Sequence, residues 1–149
     1  MLGIVLASHG NLADGIIDAA KLIIGDIKNV RSVSLKLGED IDLLGSKIEK
    51  AINEVDQGQG VIVLVDLPGA SPYNQTILSV SRLNDLLRNE LYVLTGVNLP
   101  MFIEAINQQM IGSSSKDAIS QIKKVAFNGV DLWSFKESQK HIDSDEDDF

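Results

Sequence analysis

His9 and Asp66 are the residues of this sequence whose types and positions favour nucleophilic chemistry. His9 closely follows an apolar run at residues 3–7, and Asp66 directly follows another at residues 61–65. If the two runs are neighbouring parallel strands, their ends lie about 4.8 Å apart, so the two side chains can hydrogen-bond. An aspartate on one imidazole nitrogen fixes the tautomer and leaves the other nitrogen free as a nucleophile.

Gly10 and Ser71 indicate that this nucleophile carries an anion. Gly10 lets the backbone after His9 turn sharply and lets a ligand approach. A helix is predicted to begin a few residues later, and the N–H groups and dipole of a helix start favour a bound anion. Ser71-Pro72 is typical of an N-cap followed by the first helical residue, and the hydroxyl can hold a phosphate oxygen. We therefore predict that Gly10 and Ser71 bind phosphate.

Each of these residues also has an ordinary structural interpretation. A histidine at a strand end is often solvated, an aspartate there is often a turn residue, and Ser-Pro is often only a cap. Their combination at one sheet edge is what favours a site. With two histidines and no cysteine, the chain predicts no transition-metal site, and no cofactor is predicted. The other histidine, His141, lies in the polar C-terminal region, where we expect it to be solvated.

The apolar pattern predicts the elements that position these side chains. Residues 3–7, 61–65 and 91–94 are typical of strands buried on both faces, whereas residues 30–37 alternate and suit a sheet edge. Helical periodicity fills the intervals, with apolar stripes at Leu12, Ile16, Ala20 and Ile23, at Ile41, Leu44, Ile48, Ala51 and Val55, at Ile77, Val80, Leu83 and Leu87, at Phe102, Ile106 and Met110, and at Ile119, Ile122 and Val125. This alternation predicts an α/β fold, with an open, mostly parallel sheet of order 2-1-3-4 and helices on both faces. Strand order then reverses between the first and third strands, where open sheets bind ligands.

The segment GVDLWSF, residues 129–135, contains a predicted fifth strand at residues 130–135. Val130 and Leu132 lie on one face, and Trp133 and Phe135 lie on the other. Because an exposed edge strand does not need two dry faces, we predict that this strand contributes to a homodimer. Residues 1–135 are then the folded domain, and residues 136–149 an acidic, disordered tail.

The net charge of −8 is unevenly spread, since the last seven residues carry five acidic side chains. Removing those five charges from −8 leaves −3 for the rest of the chain. The folded part has no basic stripe, which argues against a nucleic-acid partner. No apolar stretch approaches the roughly 20 residues of a membrane helix, and no signal region opens the chain, so we expect a cytoplasmic protein.

Three segments together resemble the IIA domain of the mannose-type (mannose/fructose/sorbose) sugar phosphotransferase system, over residues 1–135. They are Ser8-His9-Gly10, LVDLPGASPYN at 64–74 and TGVNLPM at 95–101. The chain departs from the family's usual loop at Ala70, where a second glycine is common. The resemblance implies a phosphotransferase component in which His9 accepts a phosphoryl group from the phosphocarrier HPr. It passes that group to a IIB component, which serves a membrane IIC/IID complex.

The resemblance also assigns roles to individual residues. It implies that Asp66 orients His9 through Nδ1, that Nε2 is phosphorylated, and that Ser71 lies beside the phosphate. It further implies that the fifth strand is exchanged between subunits and lies antiparallel on the partner's sheet edge.

Three alternative functions remain open at this point. The chain can be a phosphohistidine domain that feeds a dihydroxyacetone kinase, or a regulatory module that binds a partner according to its phosphorylation state. A small-ligand module with flavodoxin-like topology is the third. The sugar is not predicted, because the resemblance implies that a IIA domain does not contact it.

Overall fold

A computed structural model describes the backbone of residues 1–146 and the side chains of residues 1–140. Four parallel strands form one sheet of order β2-β1-β3-β4, as predicted. The strands are β1 (Gly3–His9), β2 (Val30–Leu35), β3 (Val61–Val65) and β4 (Leu91–Leu94). Because the order reverses between β1 and β3, their carboxyl ends form the switch point of the sheet.

Helices cover both faces of the sheet, which confirms the predicted α/β architecture. They are α1 (Leu12–Ile24), α2 (Ile41–Val55), α3 (Ser71–Val80), α4 (Asp85–Asn89), α5 (Leu99–Met110), α6 (Ser115–Asn128) and α7 (Phe135–Glu146). Alternate residues of β1 and β3 face opposite sides, and each side has its own buried core. One core joins the sheet to α1, α5 and α6, and the other joins it to α2 and the Leu83–Leu87 region. The apolar runs at residues 3–7 and 61–65 are therefore explained by burial on two faces.

The boundaries of two predicted elements are corrected by the structure. The alternating strand ends at Leu35, and Leu37 lies fully exposed in the following loop, where Gly38 has a φ of 81°. The stripe from Ile77 to Leu87 is divided between α3, the turn that contains Leu83, and α4, instead of forming one helix. Asn84 starts the second helix by accepting a hydrogen bond from the N–H of Leu87 at 2.9 Å.

The C-terminal segment differs from the prediction of a fifth strand. In the described chain, residues 130–134 belong to no strand or helix, and Phe135 begins α7. Ser134 accepts a hydrogen bond from the N–H of Glu137 at 3.2 Å, so its side chain caps the start of a helix. A strand needs a partner for its backbone groups, and a single chain supplies none here. Exchange between two chains therefore stays a prediction.

The structure places a helix over most of the segment for which the sequence predicts a disordered tail. Residues 136–146 continue α7, and Lys140 forms an ion pair with Glu137 one turn earlier at 3.4 Å. Residues 147–149 and the side chain of His141 lie outside the described part of the chain, and the domain boundary at residue 135 stays a prediction. Every helix of the described residues is too short or too polar to cross a bilayer.

Candidate functional site

The structure brings His9 and Asp66 together at the carboxyl edge of the sheet. His9 is the last residue of β1, and Asp66 directly follows β3, the neighbouring strand. The Nδ1 atom of His9 lies 2.7 Å from Oδ2 of Asp66, and the backbone N–H of His9 donates to the same oxygen at 2.9 Å. One carboxylate oxygen therefore holds both the backbone and the ring of the histidine.

The other ring nitrogen of His9 is available for chemistry. Among the described residues, none forms a hydrogen bond with Nε2 of His9. The His9 side chain is 46% exposed, whereas the Asp66 side chain is only 10% exposed. With the proton on Nδ1 facing the carboxylate, Nε2 carries a lone pair directed away from Asp66, as a nucleophile requires.

Hydrogen bonds keep Asp66 ionised despite its burial. Burial by itself raises the pKa of Asp66, but the bonds from the backbone and ring of His9 and from the backbone of Leu67 lower it more. The N–H of Leu67 donates to Oδ1 at 2.9 Å. The net result is a pKa below the ordinary value of 3.8, so Asp66 is an anion at neutral pH.

Gly10 turns the chain away from the sheet directly after His9. Its φ is 54°, in the left-handed region that glycine adopts without strain. A Cβ at this position would have no neighbour within 4 Å, so it is the conformation and not the space that requires glycine. The N–H of Gly10 donates to the carbonyl of Leu35 at 2.8 Å and ties the turn to β2.

Ser71 lies one position further into its helix than predicted. Ala70 is the N-cap of α3 and Ser71 is the first helical residue, so the predicted capping role of the serine is wrong. The Ser71 side chain is half-buried and forms no hydrogen bond with the described residues. Helix α3 also packs against β1, the strand that ends in His9. The hydroxyl is thus free to bind a ligand oxygen, and no hydrogen bond joins it to His9 in the described part of the chain.

Sequence reasoning missed the role of Ser8. This side chain is fully buried, and its Oγ accepts a hydrogen bond from the N–H of Ala13 in the first turn of α1 at 2.9 Å. Asn11 occupies the N-cap position, yet its side chain makes no capping bond. A serine shortly before a helix start could have indicated this role, but Ser8 lies three residues before Asn11, the ordinary N-cap position.

The segment TGVNLPM supports Asp66 from the other side. The N–H groups of Gly96 and Val97 donate to the carbonyls of Asp66 and Val65, at 3.1 and 3.0 Å. Asn98 starts α5 by accepting from the N–H of Met101 at 2.8 Å. The loop after β4 therefore fixes the backbone on which the aspartate stands.

Apolar side chains line a groove beside His9, together with Lys36 and Glu39. An open groove of about 410 Å³ is lined by His9 and by Leu35, Leu37 and Ile41. Leu12 and Leu67, which follow the two strand ends, are also about half exposed, whereas Met101 is buried in the core. A surface of this kind suits a protein partner better than a small polar ligand. The described residues contain no group of three or more potential metal ligands.

Comparisons with known proteins place this site in a family context. The model of the family EIIA-man, described as the PTS system fructose IIA component, matches residues 3–123. The PTS system mannose-specific EIIAB component of Escherichia coli K12 is 28% identical over 140 residues, which cover 93% of this chain. The chain spans only 42% of the length of that relative. The PTS system fructose-specific EIIA component of Bacillus subtilis is 23% identical over 143 residues, covering 96% of this chain and 90% of the relative.

Solved structures agree with the sequence comparisons. The phosphotransferase system component EIIA from Streptococcus agalactiae superimposes with a TM-score of 0.75 at 26% identity, covering 89% of this chain and 97% of the other. The PTS IIA protein associated with the fucose utilization operon of Streptococcus pneumoniae gives 0.72 at 30% identity, covering 93% and 96%. The resemblance noted from three short segments is therefore confirmed over most of the chain.

Proposed function

The chain belongs to the EIIA-man family of phosphotransferase-system IIA components, and from that premise we propose that His9 is its phosphoryl-carrying residue. Components of this mannose/fructose/sorbose type take part in phosphoryl transfer during sugar uptake. In our proposal, Nε2 of His9 accepts the group from phosphorylated HPr and passes it to a IIB component, which serves a membrane IIC/IID complex. The observation that carries the proposal is the 2.7 Å contact between Nδ1 of His9 and Asp66, beside a free Nε2.

The transfer forms one bond and breaks one. The Nε2 lone pair of His9 attacks phosphorus, and the bond from phosphorus to the donor breaks with its electron pair left on the donor. The ring then carries the phosphoryl group on Nε2 and a proton on Nδ1, so it gains positive charge. The carboxylate of Asp66 faces that proton and stabilises the charge without removing the proton. Passing the group to IIB reverses the same steps.

Helix starts are the proposed binding groups for the phosphoryl oxygens. Phosphoryl transfer passes through a loose transition state with charge on three oxygens, so it depends on positioning and charge stabilisation. Helix α1 begins three residues after His9, and α3 begins five residues after Asp66. N–H groups at helix starts bind phosphate, and the free hydroxyl of Ser71 adds a donor in the first turn of α3. Gly10 has no side chain, so the backbone between His9 and α1 leaves room for the phosphoryl group to approach.

We also propose that the chain works in the cytoplasm as a homodimer with exchanged C-terminal strands. Val130, Leu132 and Trp133 are 80%, 88% and 73% exposed, so this segment presents a large apolar row to solvent. On the partner's β4 edge, in antiparallel pairing, the same segment would satisfy its backbone groups and cover those side chains.

Labelling from phosphorylated HPr tests the assignment of His9. The wild-type chain should gain one acid-labile phosphoryl group. His141→Ala, which changes the only other histidine of the chain, should label equally, and His9→Ala should not label. Stoichiometric labelling of His9→Ala would show that the assignment is wrong.

A second step separates a carrier from a regulatory module. Labelled chain is isolated and mixed with a IIB component of the mannose type. Loss of label from this chain and its gain by IIB supports a carrier, whereas binding without transfer supports a regulatory module. Transfer to the subunits of a dihydroxyacetone kinase instead would favour a phosphohistidine domain that feeds such a kinase.

A further inference from the structure

Ser8 connects the strand that carries His9 to the helix that follows it. Its side chain is fully buried. The hydroxyl oxygen accepts from the N–H of Ala13 at 2.9 Å and donates to the carbonyl of His9 at 3.3 Å. One buried hydroxyl therefore spans the turn in which His9 and Gly10 stand.

The cap of α1 differs from those of most other helices in the chain. Helices α2, α4, α5 and α6 are each capped by the side chain that directly precedes them, at Asp40, Asn84, Asn98 and Ser114. In α1 the residue at that position, Asn11, makes no such bond, and the cap comes from inside β1. The arrangement couples the start of the helix to the residue next to His9, which an ordinary cap would not do.

The backbone of His9 is held at three points, and Ser8 supplies one of them. The N–H of His9 donates to Asp66, the carbonyl accepts from Ser8, and the next N–H, of Gly10, donates to Leu35. Gly10 is in the left-handed region and has no side chain to limit its motion. Without the Ser8 hydroxyl, the His9 carbonyl and the α1 start lose their common anchor.

We propose that Ser8 is a positioning residue for phosphoryl transfer: its buried hydroxyl holds the turn between His9 and α1 in the transfer geometry. The proposal rests on the proposed function of His9. Substitution by alanine leaves the N–H of Ala13 without its partner at a buried position, so the helix start must shift to find water or another acceptor. A shift of about 1 Å near reacting atoms can cost about 100-fold in rate. Because Asp66 still holds the His9 ring, we expect a smaller loss, of about tenfold.

The test compares two cap losses in one protein. Ser8→Ala removes the cap of α1, and Ser114→Ala removes the cap of α6, where Ser114 accepts from the N–H of Asp117 at 3.2 Å. The α6 start lies at the opposite edge of the sheet, since the N–H of Ser115 donates to Gln59 just before β3. Ser8→Thr keeps the hydroxyl. All variants are phosphorylated by HPr at a temperature where urea titration shows them folded, and kcat and KM are measured separately.

We expect kcat to fall in Ser8→Ala and in no other variant. Ser8→Ala should lower kcat about tenfold with little change in KM for HPr, because the partner surface is intact. Ser114→Ala should lose stability but retain kcat, and Ser8→Thr should restore most of the rate. A wild-type kcat in Ser8→Ala overturns the proposal, and so does an equal loss in Ser114→Ala, which would mark a general stability effect.

A spectroscopic arm keeps the proposal testable if Ser8→Thr fails to fold or if the wild type is not labelled. Absence of wild-type labelling is a failure of the proposed function, not of the role of Ser8. In either case, NMR of Ser8→Ala should show faster amide exchange at Ala13 and a shifted His9 ring nitrogen signal, whereas Ser114→Ala shows neither. An unchanged His9 ring signal in Ser8→Ala overturns the inference.

Discussion

Asp66→Asn should slow phosphoryl transfer while the fold stays intact. The carboxylate accepts three hydrogen bonds, two from His9 at Oδ2 and one from Leu67 at Oδ1. Asparagine has nearly the same shape but only one accepting oxygen. Either orientation of the amide therefore places its NH₂ group against at least one donor.

The two orientations have different consequences for His9. With the amide oxygen toward His9, the bond to Nδ1 survives without charge, and the N–H of Leu67 loses its acceptor. With the NH₂ group toward His9, Nδ1 must become an acceptor. The ring proton then moves to Nε2 and blocks the nucleophile.

The smallest expected loss in rate is that of the first orientation, in which the amide oxygen faces His9. Hydrogen bonds to charged groups contribute about 1.5–3 kcal/mol and neutral bonds about 0.5–1.5 kcal/mol, a difference near 1–1.5 kcal/mol. Each 1.36 kcal/mol corresponds to about tenfold in rate. Molecules whose ring proton lies on Nε2 lower the rate further, so we expect about a 10- to 100-fold lower rate in total. The roughly 10⁴-fold effect of the same change in a serine protease triad is an upper limit, because phosphoryl transfer depends less on base strength.

The assay is single-turnover transfer from phosphorylated HPr to the chain, followed by rapid acid-free separation. Circular dichroism and urea unfolding of Asp66→Asn establish that the fold is retained. Asp56→Asn is a matched control, since Asp56 accepts a backbone bond at the opposite edge of the sheet, from the N–H of Gly58 at 3.0 Å. Transfer at the wild-type rate in Asp66→Asn would remove the carboxylate from the mechanism.

Three further results are expected. Acid should narrow the difference in free energy of unfolding between wild type and Asp66→Asn. The pKa of Asp66 is lowered in the folded state, so its carboxylate stabilises the fold fully above pH 3.8, and this contribution is lost as pH falls through the folded pKa. Urea titrations at pH 7 and in acid measure the difference, and a constant difference contradicts the expectation. Gly10→Ala should reduce the free energy of unfolding by about 1–2 kcal/mol through its φ of 54°, with Gly10→Asn closer to wild type, whereas equal stability of all three chains refutes the conformational argument. Truncation after Asn128 should give a monomer or a less soluble chain in light scattering, and truncation after Gln139 should not; a monomeric full-length chain at micromolar concentration contradicts strand exchange.

The sheet could be predicted because strands buried on both faces are short, continuous apolar runs in the sequence. β3 and β4 have the predicted bounds, at residues 61–65 and 91–94. Once the order of strands was inferred, the pairing of His9 with Asp66 followed from topology alone. Neither step needed a side-chain rotamer or a helix boundary, which are the features that sequence patterns resolve least well.

The sequence predicts the wrong element or boundary where strand and helix signals overlap, or where pairing with a second chain would determine the structure. Residues 130–135 alternate like a strand, but Ser134 caps a helix by accepting from the N–H of Glu137. In a single chain this helix signal determines where α7 begins. At the α3 start, Ala70 takes the cap position and Ser71 the first turn, a shift of one residue that propensity cannot resolve. Ser8 escaped notice because its capping bond crosses from a strand to a helix.

The difference in exposure between His9 and Asp66 fits a residue that must both accept and release a group. A largely buried carboxylate held by three hydrogen bonds stays charged and fixed, so solvent has little influence on the orientation of the ring. The half-exposed imidazole, with apolar side chains around it, is open to two successive protein partners. A site that enclosed the phosphoryl group would hold it more tightly but would slow its release. Under the proposed mechanism, an open edge with one largely buried anion behind the ring favours transfer in both directions.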